Sequence, residues 1–210
     1  EHKVRIFEIN NITHNVNSYK VEKPEDYSFS PGQATELSIN KPGWENNKHP
    51  FTLTSLSSDP FLEFTIKSYF DHDGVTNKLS TLNEGDELII RDVWGAIEYK
   101  GPGYFIAGGA GVTPFIAILR QLRKENELAD NKLFFSNKTS EDIILKEELS
   151  NMLNENFINI LSEEKAVGYP YGFITEDFLR KNLPDLKGNI YLCGPPAMMD
   201  SLERILSNLN

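Results

Sequence analysis

The segment of the sequence best suited to holding a ligand is Gly108-Gly109-Ala110-Gly111-Val112-Thr113-Pro114. It lies between the apolar run Gly103 to Ala107 and a helix-patterned run from Phe115 to Lys124. A short buried strand passing through small residues into a helix presents backbone N–H groups at a helix N-terminus, where an anionic phosphate is stabilised. The turn is therefore a candidate nucleotide site, although glycines at such a turn also serve close packing alone. It is not the usual dinucleotide fingerprint, because Pro114 stands where the last glycine would be. No Lys-Ser/Thr pair follows to make a P-loop.

A second point of interest is Cys193-Gly194-Pro195-Pro196, which closes an apolar strand and opens a helix. A lone cysteine in that place is more often a packed small hydrophobe than a reactive group, and no histidine is apparent beside it to make a thiolate nucleophile. The histidines His2, His14, His49 and His72 are scattered without an i, i+4 pair, and Asp71-His72-Asp73 reads as a turn, so no metal site is expected.

The secondary structure around these segments falls into two patterns. In the first half, strands fit Val4 to Ile9, Ala34 to Ile39, Phe51 to Leu56, Phe61 to Tyr69 and Glu87 to Val93, separated by turns at Ser30-Pro31-Gly32, Lys41-Pro42-Gly43, Asp71-His72-Asp73-Gly74 and Asn83-Glu84-Gly85-Asp86. Short strands at this spacing predict an antiparallel β-barrel, with one short helix over Val75 to Leu82. After Gly101-Pro102-Gly103 strand and helix alternate. Strands fit Tyr104 to Ala107, Lys132 to Phe135, Phe157 to Leu161 and Asn189 to Cys193. Helices fit Pro114 to Lys124, Glu141 to Leu153, Thr175 to Asn182 and Ala197 to Leu209. That alternation predicts an α/β domain with a parallel sheet. The expected division is residues 1–101 and 102–210. In the last helix Met199, Leu202, Ile205, Leu206 and Leu209 share one face, which reads as core.

With 210 residues and 39% hydrophobic composition, the chain has enough apolar surface for one large or two small cores. No stretch of about 18 apolar residues is present to span a bilayer, and Glu1 to Asn10 carry no apolar signal-peptide core. The chain reads as soluble, cytoplasmic and monomeric, although Glu1 is not an initiator. A formal charge of −10, with neither half basic, argues against nucleic acid as a partner. One cysteine excludes an internal disulfide and an all-cysteine iron–sulfur cluster in this chain. If electrons move here, another cofactor carries them.

Four segments in order carry a family resemblance: His49-Pro50-Phe51-Thr52-Leu53-Thr54-Ser55, Asp73-Gly74-Val75-Thr76-Asn77-Lys78-Leu79, the glycine-rich turn, and Tyr191-Leu192-Cys193-Gly194-Pro195-Pro196-Ala197-Met198. With a barrel-like half before an α/β half, the chain resembles the ferredoxin-NADP reductase superfamily over nearly its whole length. Within it, the chain looks most like bacterial flavodoxin/ferredoxin reductase-like FAD enzymes.

The resemblance implies an FAD-binding barrel followed by a nicotinamide-binding domain, with NAD(P)H as co-substrate. The family's first motif is Arg-x-Tyr-Ser/Thr, in which the aromatic residue lies against the flavin ring, the hydroxyl reaches its reactive edge, and the Arg binds phosphate. Phe51 and Thr52 match the second and third roles. The Arg position is His49, which departs from the pattern and is as compatible with a surface loop as with a phosphate contact. Pyrophosphate would then lean on Lys48 or on Gly74, Val75 and Thr76, where Thr76 is otherwise an ordinary helix cap. Lys67 and Tyr69 would run along the flavin tail, or be a solvent-facing lysine and a rim tyrosine. The nicotinamide nucleotide would fall to Gly109, Gly111, Val112 and Thr113 of one turn and Gly194 and Pro195 of the other. Cys193 and Thr52 are the catalytic candidates, Cys193 by aligning the nicotinamide ring rather than by covalent attack.

Two function classes follow. In the first, the chain is an oxidoreductase passing hydride to FAD and then electrons to a flavodoxin- or ferredoxin-like carrier or a small acceptor. In the second, it is a nucleotide-binding or electron-transfer subunit without turnover of its own. The choice of NADH or NADPH is open, since Lys138 could meet a 2′-phosphate while Ser162-Glu163-Glu164 would repel it. The acidic surface argues against strong electrostatic steering of an acidic carrier.

Overall fold

In a computed structural model describing residues 1–95, 97–128, 130–183 and 188–209, the alternation of apolar and polar residues in the first half is realised as paired strands. These are β1 (His2–Thr13), β2 (Val16–Glu22), β3 (Ala34–Ile39), β4 (His49–Thr52), β5 (Phe61–Lys67) and β6 (Glu87–Trp94), with helix α1 (Val75–Leu79) between β5 and β6. They form one antiparallel sheet in the order β4-β3-β6-β1-β2-β5. The two edges meet, because Leu53 bridges Phe64 and the Thr54 amide donates to the Glu63 carbonyl at 2.8 Å. Edges that meet in this way close the sheet towards a barrel.

The core of this unit is built from inward residues of every strand, among them Ile6, Tyr19, Leu37, Phe64 and Ile90. Val75 and Leu79 of α1 join it, and the buried Tyr19 hydroxyl donates to the Leu79 carbonyl at 3.0 Å. Strand β2 is absent from the strands expected above. Its apolar residues Val16, Tyr19 and Val21 are interleaved with Asn17, Ser18 and Lys20, and the burial of polar Ser18 beside Tyr19 breaks a clean two-residue period. Pairing with β1 on one side and β5 on the other selects the strand nonetheless.

The second pattern gives β7 (Gly103–Gly108), α2 (Thr113–Glu125), β8 (Lys132–Asn137), α3 (Lys146–Leu153), β9 (Phe157–Leu161), α4 (Glu176–Asn182), β10 (Asn189–Cys193) and α5 (Pro196–Leu209). The strands are parallel in the order β10-β7-β8-β9. Ile106, Phe134 and Ile160 from its strands pack with Leu179 of α4 and Leu202 of α5. The fold is thus an antiparallel barrel followed by an α/β parallel-sheet domain. By compactness the first unit comprises Glu1–Tyr99 with Thr113–Gln121, and the second Lys100–Val112 with Leu122–Asn210. Tyr191 pins the start of the second unit. Its hydroxyl donates to the Gly101 carbonyl at 2.7 Å and accepts from the Lys100 amide at 2.9 Å, while its ring stacks on Phe105 with centroids 4.6 Å apart.

Several elements differ from the expected bounds: β4 covers His49–Thr52 where Phe51 to Leu56 was expected, β1 is longer, and β5 and α1 are shorter. Two further differences have a clear packing reason. The helix expected over Glu141 to Leu153 is broken. A capping box between Thr139 and Asp142 closes a 3₁₀ turn at Ser140–Asp142, Ile143 is extended and buried, Leu145 takes φ 52°, and α3 starts only at Lys146. Burying both Ile143 and Ile144 outweighs helical continuity there. In α5, Met198 rather than Met199 packs with Leu202, Ile205, Leu206 and Leu209 on the core. No described helix is long and apolar enough to cross a membrane.

Candidate functional site

The carboxyl ends of parallel strands are where such a sheet exposes backbone groups to a ligand. At the end of β7 the chain makes one 3₁₀ turn, Gly109–Val112, and runs directly into α2 with Pro114 in its first turn. Val112 at the N-cap supplies no side-chain hydrogen bond. Parallel pairing places Cys193 of β10 opposite Ala107 of β7, so the turns after the two strands leave the sheet side by side. They interlock. A Cβ on Gly111 would stand 2.7 Å from the Gly194 Cα and closer still to the Cys193 carbonyl, and a Cβ on Gly108 would lie 2.9 Å from the Pro195 Cδ and against the Met198 Sδ. Only glycine fits where backbone meets backbone this tightly. Gly109 has φ 50°, the left-handed region that favours glycine.

Gly109, Gly111, Val112, Gly194 and Pro195 are thereby brought together with Cys193, and Thr113 follows as the first residue of α2. A cradle of backbone and small side chains at a helix N-terminus fits a nucleotide phosphate. It does not fit a metal, and among the described residues no group of three or more His, Cys, Asp or Glu could hold one. Cys193 is half-buried, and burial alone pushes its thiol pKa up, which keeps the sulfur protonated and uncharged at neutral pH.

Strand β8 is followed by Lys138, and β9 by the acids Glu163 and Glu164. The Glu163 amide donates to the Lys138 carbonyl at 2.9 Å, and the Lys138 ammonium pairs with the Glu163 carboxylate at 3.0 Å. The Glu164 carboxylate accepts from the Ser140 amide and, at 3.1 Å, from its hydroxyl. Both side chains of the Lys138–Glu163 pair are largely exposed.

In the first unit β4 carries the other motif. His49 and Pro50 are exposed, and Phe51 and Thr52 are half-buried. Thr52 lies opposite Ala34, Phe51 opposite the buried Thr35, and His49 opposite Leu37. Consecutive strand residues face opposite ways. Phe51 accordingly packs against the barrel core, and no hydrogen bond links the Thr52 hydroxyl to another described residue. Lys67, Tyr69 and the start of α1 form a separate group. The Lys67 ammonium lies 5.8 Å from the Tyr69 ring centroid, Tyr69 stacks on His72 at 6.3 Å, and the Tyr69 amide donates to the Thr76 hydroxyl at 3.4 Å. The helix cap is Gly74, not Thr76, so Val75 and Thr76 are its first two helical residues.

Sequence reasoning missed a buried network beside β4. Arg120 of α2 donates from Nη1 to the Thr54 carbonyl and to the Glu63 carboxylate, both at 2.7 Å. The Thr54 hydroxyl donates to Glu63 at 2.8 Å and lies 3.1 Å from the Thr65 hydroxyl, while the Ser55 hydroxyl accepts from the Glu63 amide at 3.0 Å. The one available signal was Glu63, an acid between Leu62 and Phe64 in a strand buried on both sides of it.

Comparison with known proteins adds an independent line. Residues 105–204 match the family model described as an oxidoreductase NAD-binding domain. The chain is 30% identical to NADH-cytochrome b5 reductase 1 of Coccidioides immitis, covering 94% of this chain and 71% of that protein. It is 27% identical to the reductase component of propane 2-monooxygenase of Rhodococcus jostii, covering 97% of this chain but only 59% of that protein. Among solved structures, a ferredoxin NADP+ reductase from Neisseria gonorrhoeae with bound FAD and NADP superposes with a TM-score of 0.85, covering 100% of this chain and 91% of that one at 18% identity.

Proposed function

Since the chain belongs to the ferredoxin-NADP reductase superfamily, along with its NADH-cytochrome b5 reductase relatives, we propose that it takes reducing equivalents from NADH and hands electrons singly to a carrier protein. It is an FAD-dependent NAD(P)H oxidoreductase. When bound, FAD supplies the conversion between two-electron and one-electron transfer. Residues 1–101 form the flavin domain and residues 102–210 the nicotinamide domain in this reading. The observation that carries it is the backbone interlock of Gly111 with Cys193 and Gly194 at the carboxyl edge of β7 and β10.

The chain's own residues then have distinct tasks. The turn Gly109 to Thr113 binds the nucleotide phosphates. Cys193, neutral and small, limits how the nicotinamide ring can lie, and Gly194 and Pro195 shape its pocket. Thr52 offers a hydroxyl to the flavin ring with Phe51 behind it, and Val75 and Thr76 offer amides to the flavin phosphates beside Lys67 and Tyr69. The Lys138–Glu163 pair and Glu164 favour a free ribose 2′-hydroxyl over a 2′-phosphate, which selects NADH.

The test is a steady-state comparison of NADH and NADPH on the purified full chain supplied with FAD, against a cytochrome b5, a ferredoxin, a flavodoxin and ferricyanide. We expect kcat/KM for NADH to exceed that for NADPH by at least about tenfold, the equivalent of one engaged cation. A preference for NADPH would overturn the choice of NADH, and activity with ferricyanide alone would remove the protein acceptor.

A second expectation concerns His49. Histidine lacks the bidentate fork that arginine offers a phosphate, so His49→Arg should tighten FAD binding by about fivefold, the value of one charge-assisted contact. Unchanged or weaker binding, read by fluorescence titration, would show that His49 does not stand at the flavin phosphate.

A further inference from the structure

Trp94, the last residue of β6, is 52% exposed, and its ring has no aromatic or cationic partner among the described residues. The other tryptophan, Trp44, is packed against the barrel core with the Lys78 ammonium 5.9 Å from its ring. Other aromatic side chains of the chain, Phe70 and Phe173 among them, are also exposed, so it is the place of Trp94 in the sheet that sets it apart.

Strand register says where Trp94 stands. Ala34 of β3 pairs with Thr52 of β4 on one side and with Trp94 of β6 on the other. Directly opposed residues of antiparallel strands point to the same face, so Thr52, Ala34 and Trp94 form one row on the outer face of the barrel. The next row inward, Phe51, Thr35 and Val93, faces the core. Thr52 and Trp94 are separated by two strand spacings, about 10 Å, with only a methyl group between them. A tricyclic flavin ring system can lie over that methyl between the hydroxyl and the indole. The rim is also held firmly. A Cβ on Gly95 would come within 3.2 Å of the Gln33 Cα, and the Leu53 amide donates to the Gln33 carbonyl at 3.0 Å, which ties the ends of β6, β3 and β4 together.

From this row we infer that Trp94 is a ring-contacting residue of the flavin site, its indole walling the isoalloxazine on the side away from Thr52. The inference rests on the assignment of Thr52 to the flavin ring. The indole binds by apolar and π contact, orients the ring without hydrogen bonding, and excludes water from that side.

FAD titration of the apoprotein tests it, with Kd and the emission of the bound flavin as readouts, since an indole quenches flavin emission only at contact. Trp94→Ala should weaken FAD binding by about tenfold and Trp94→Phe by less, while bound-flavin emission rises in both. Trp44→Phe should leave both readouts at wild-type values, and thermal melts of each apoprotein establish that the variants are folded. Wild-type Kd and emission in Trp94→Ala would overturn the role of Trp94 and leave the flavin site standing. A wild-type chain that takes up no FAD would overturn the flavin assignment itself, and the Trp94 inference with it.

Discussion

Replacing Arg120 by alanine is expected to destabilise the first unit by about 3–5 kcal/mol, the range for removing one partner of a buried ion pair. Glu63 is 7% exposed and pairs with Arg120, so the variant leaves a buried carboxyl without its cation. The Thr54 carbonyl loses its guanidinium donor at the same time. Glu63→Gln should cost less, about 1–2 kcal/mol, because Arg120 retains the Thr54 carbonyl and part of its head reaches water. The pair replaced together by methionines should recover most of the loss, since two apolar side chains of similar volume leave no charge behind. Urea denaturation of the four proteins distinguishes these outcomes. A loss below about 1 kcal/mol in Arg120→Ala would mean that Glu63 finds another partner or water on losing Arg120.

Cys193→Ala should leave FAD binding and the fold intact but slow reduction of the flavin by NADH on the order of 10²-fold. The thiol belongs to the second unit, whereas the proposed flavin contacts belong to the first. Its carbonyl, which meets Gly111, is unchanged by the substitution. The lost atom is the sulfur alone, and a nicotinamide ring that shifts by about an ångström into the vacated space loses its alignment. Because burial holds the thiol protonated, the wild-type rate should show no dependence on a thiolate. Serine should fall between cysteine and alanine, being smaller than cysteine and more strongly hydrated. A normal reduction rate together with a lowered melting temperature would identify Cys193 as core packing only.

Elements dictated by local pattern were legible in the chain itself. Ala34 to Ile39, Phe157 to Leu161 and Asn189 to Cys193 have the expected bounds, because each is a short apolar or alternating run between turn residues. Strand β2 was not, since its assignment depends on pairing at both edges and polar Ser18 blurs its period. The break at Ile143 to Leu145 was hidden for a related reason: two adjacent isoleucines are compatible with a helix, and only the fold shows that both are buried. In the site, glycine spacing marked Gly108 to Thr113, yet its contact with Cys193 depends on β10 lying beside β7. Glu63 and Arg120 are 57 residues apart, and Thr52 and Trp94 are related only through Ala34. No periodicity within a single segment reports such neighbours, which strand order alone creates.

In the proposed function the chain binds FAD and NADH reduces it. Anaerobic stopped-flow mixing of the FAD-loaded protein with NADH measures this most directly. Oxidised-flavin absorbance should disappear in one turnover at a rate on the order of 10 s⁻¹ or faster, and at least about tenfold more slowly with NADPH. A protein that stays colourless after reconstitution, or a bound flavin that neither nicotinamide bleaches, would contradict it.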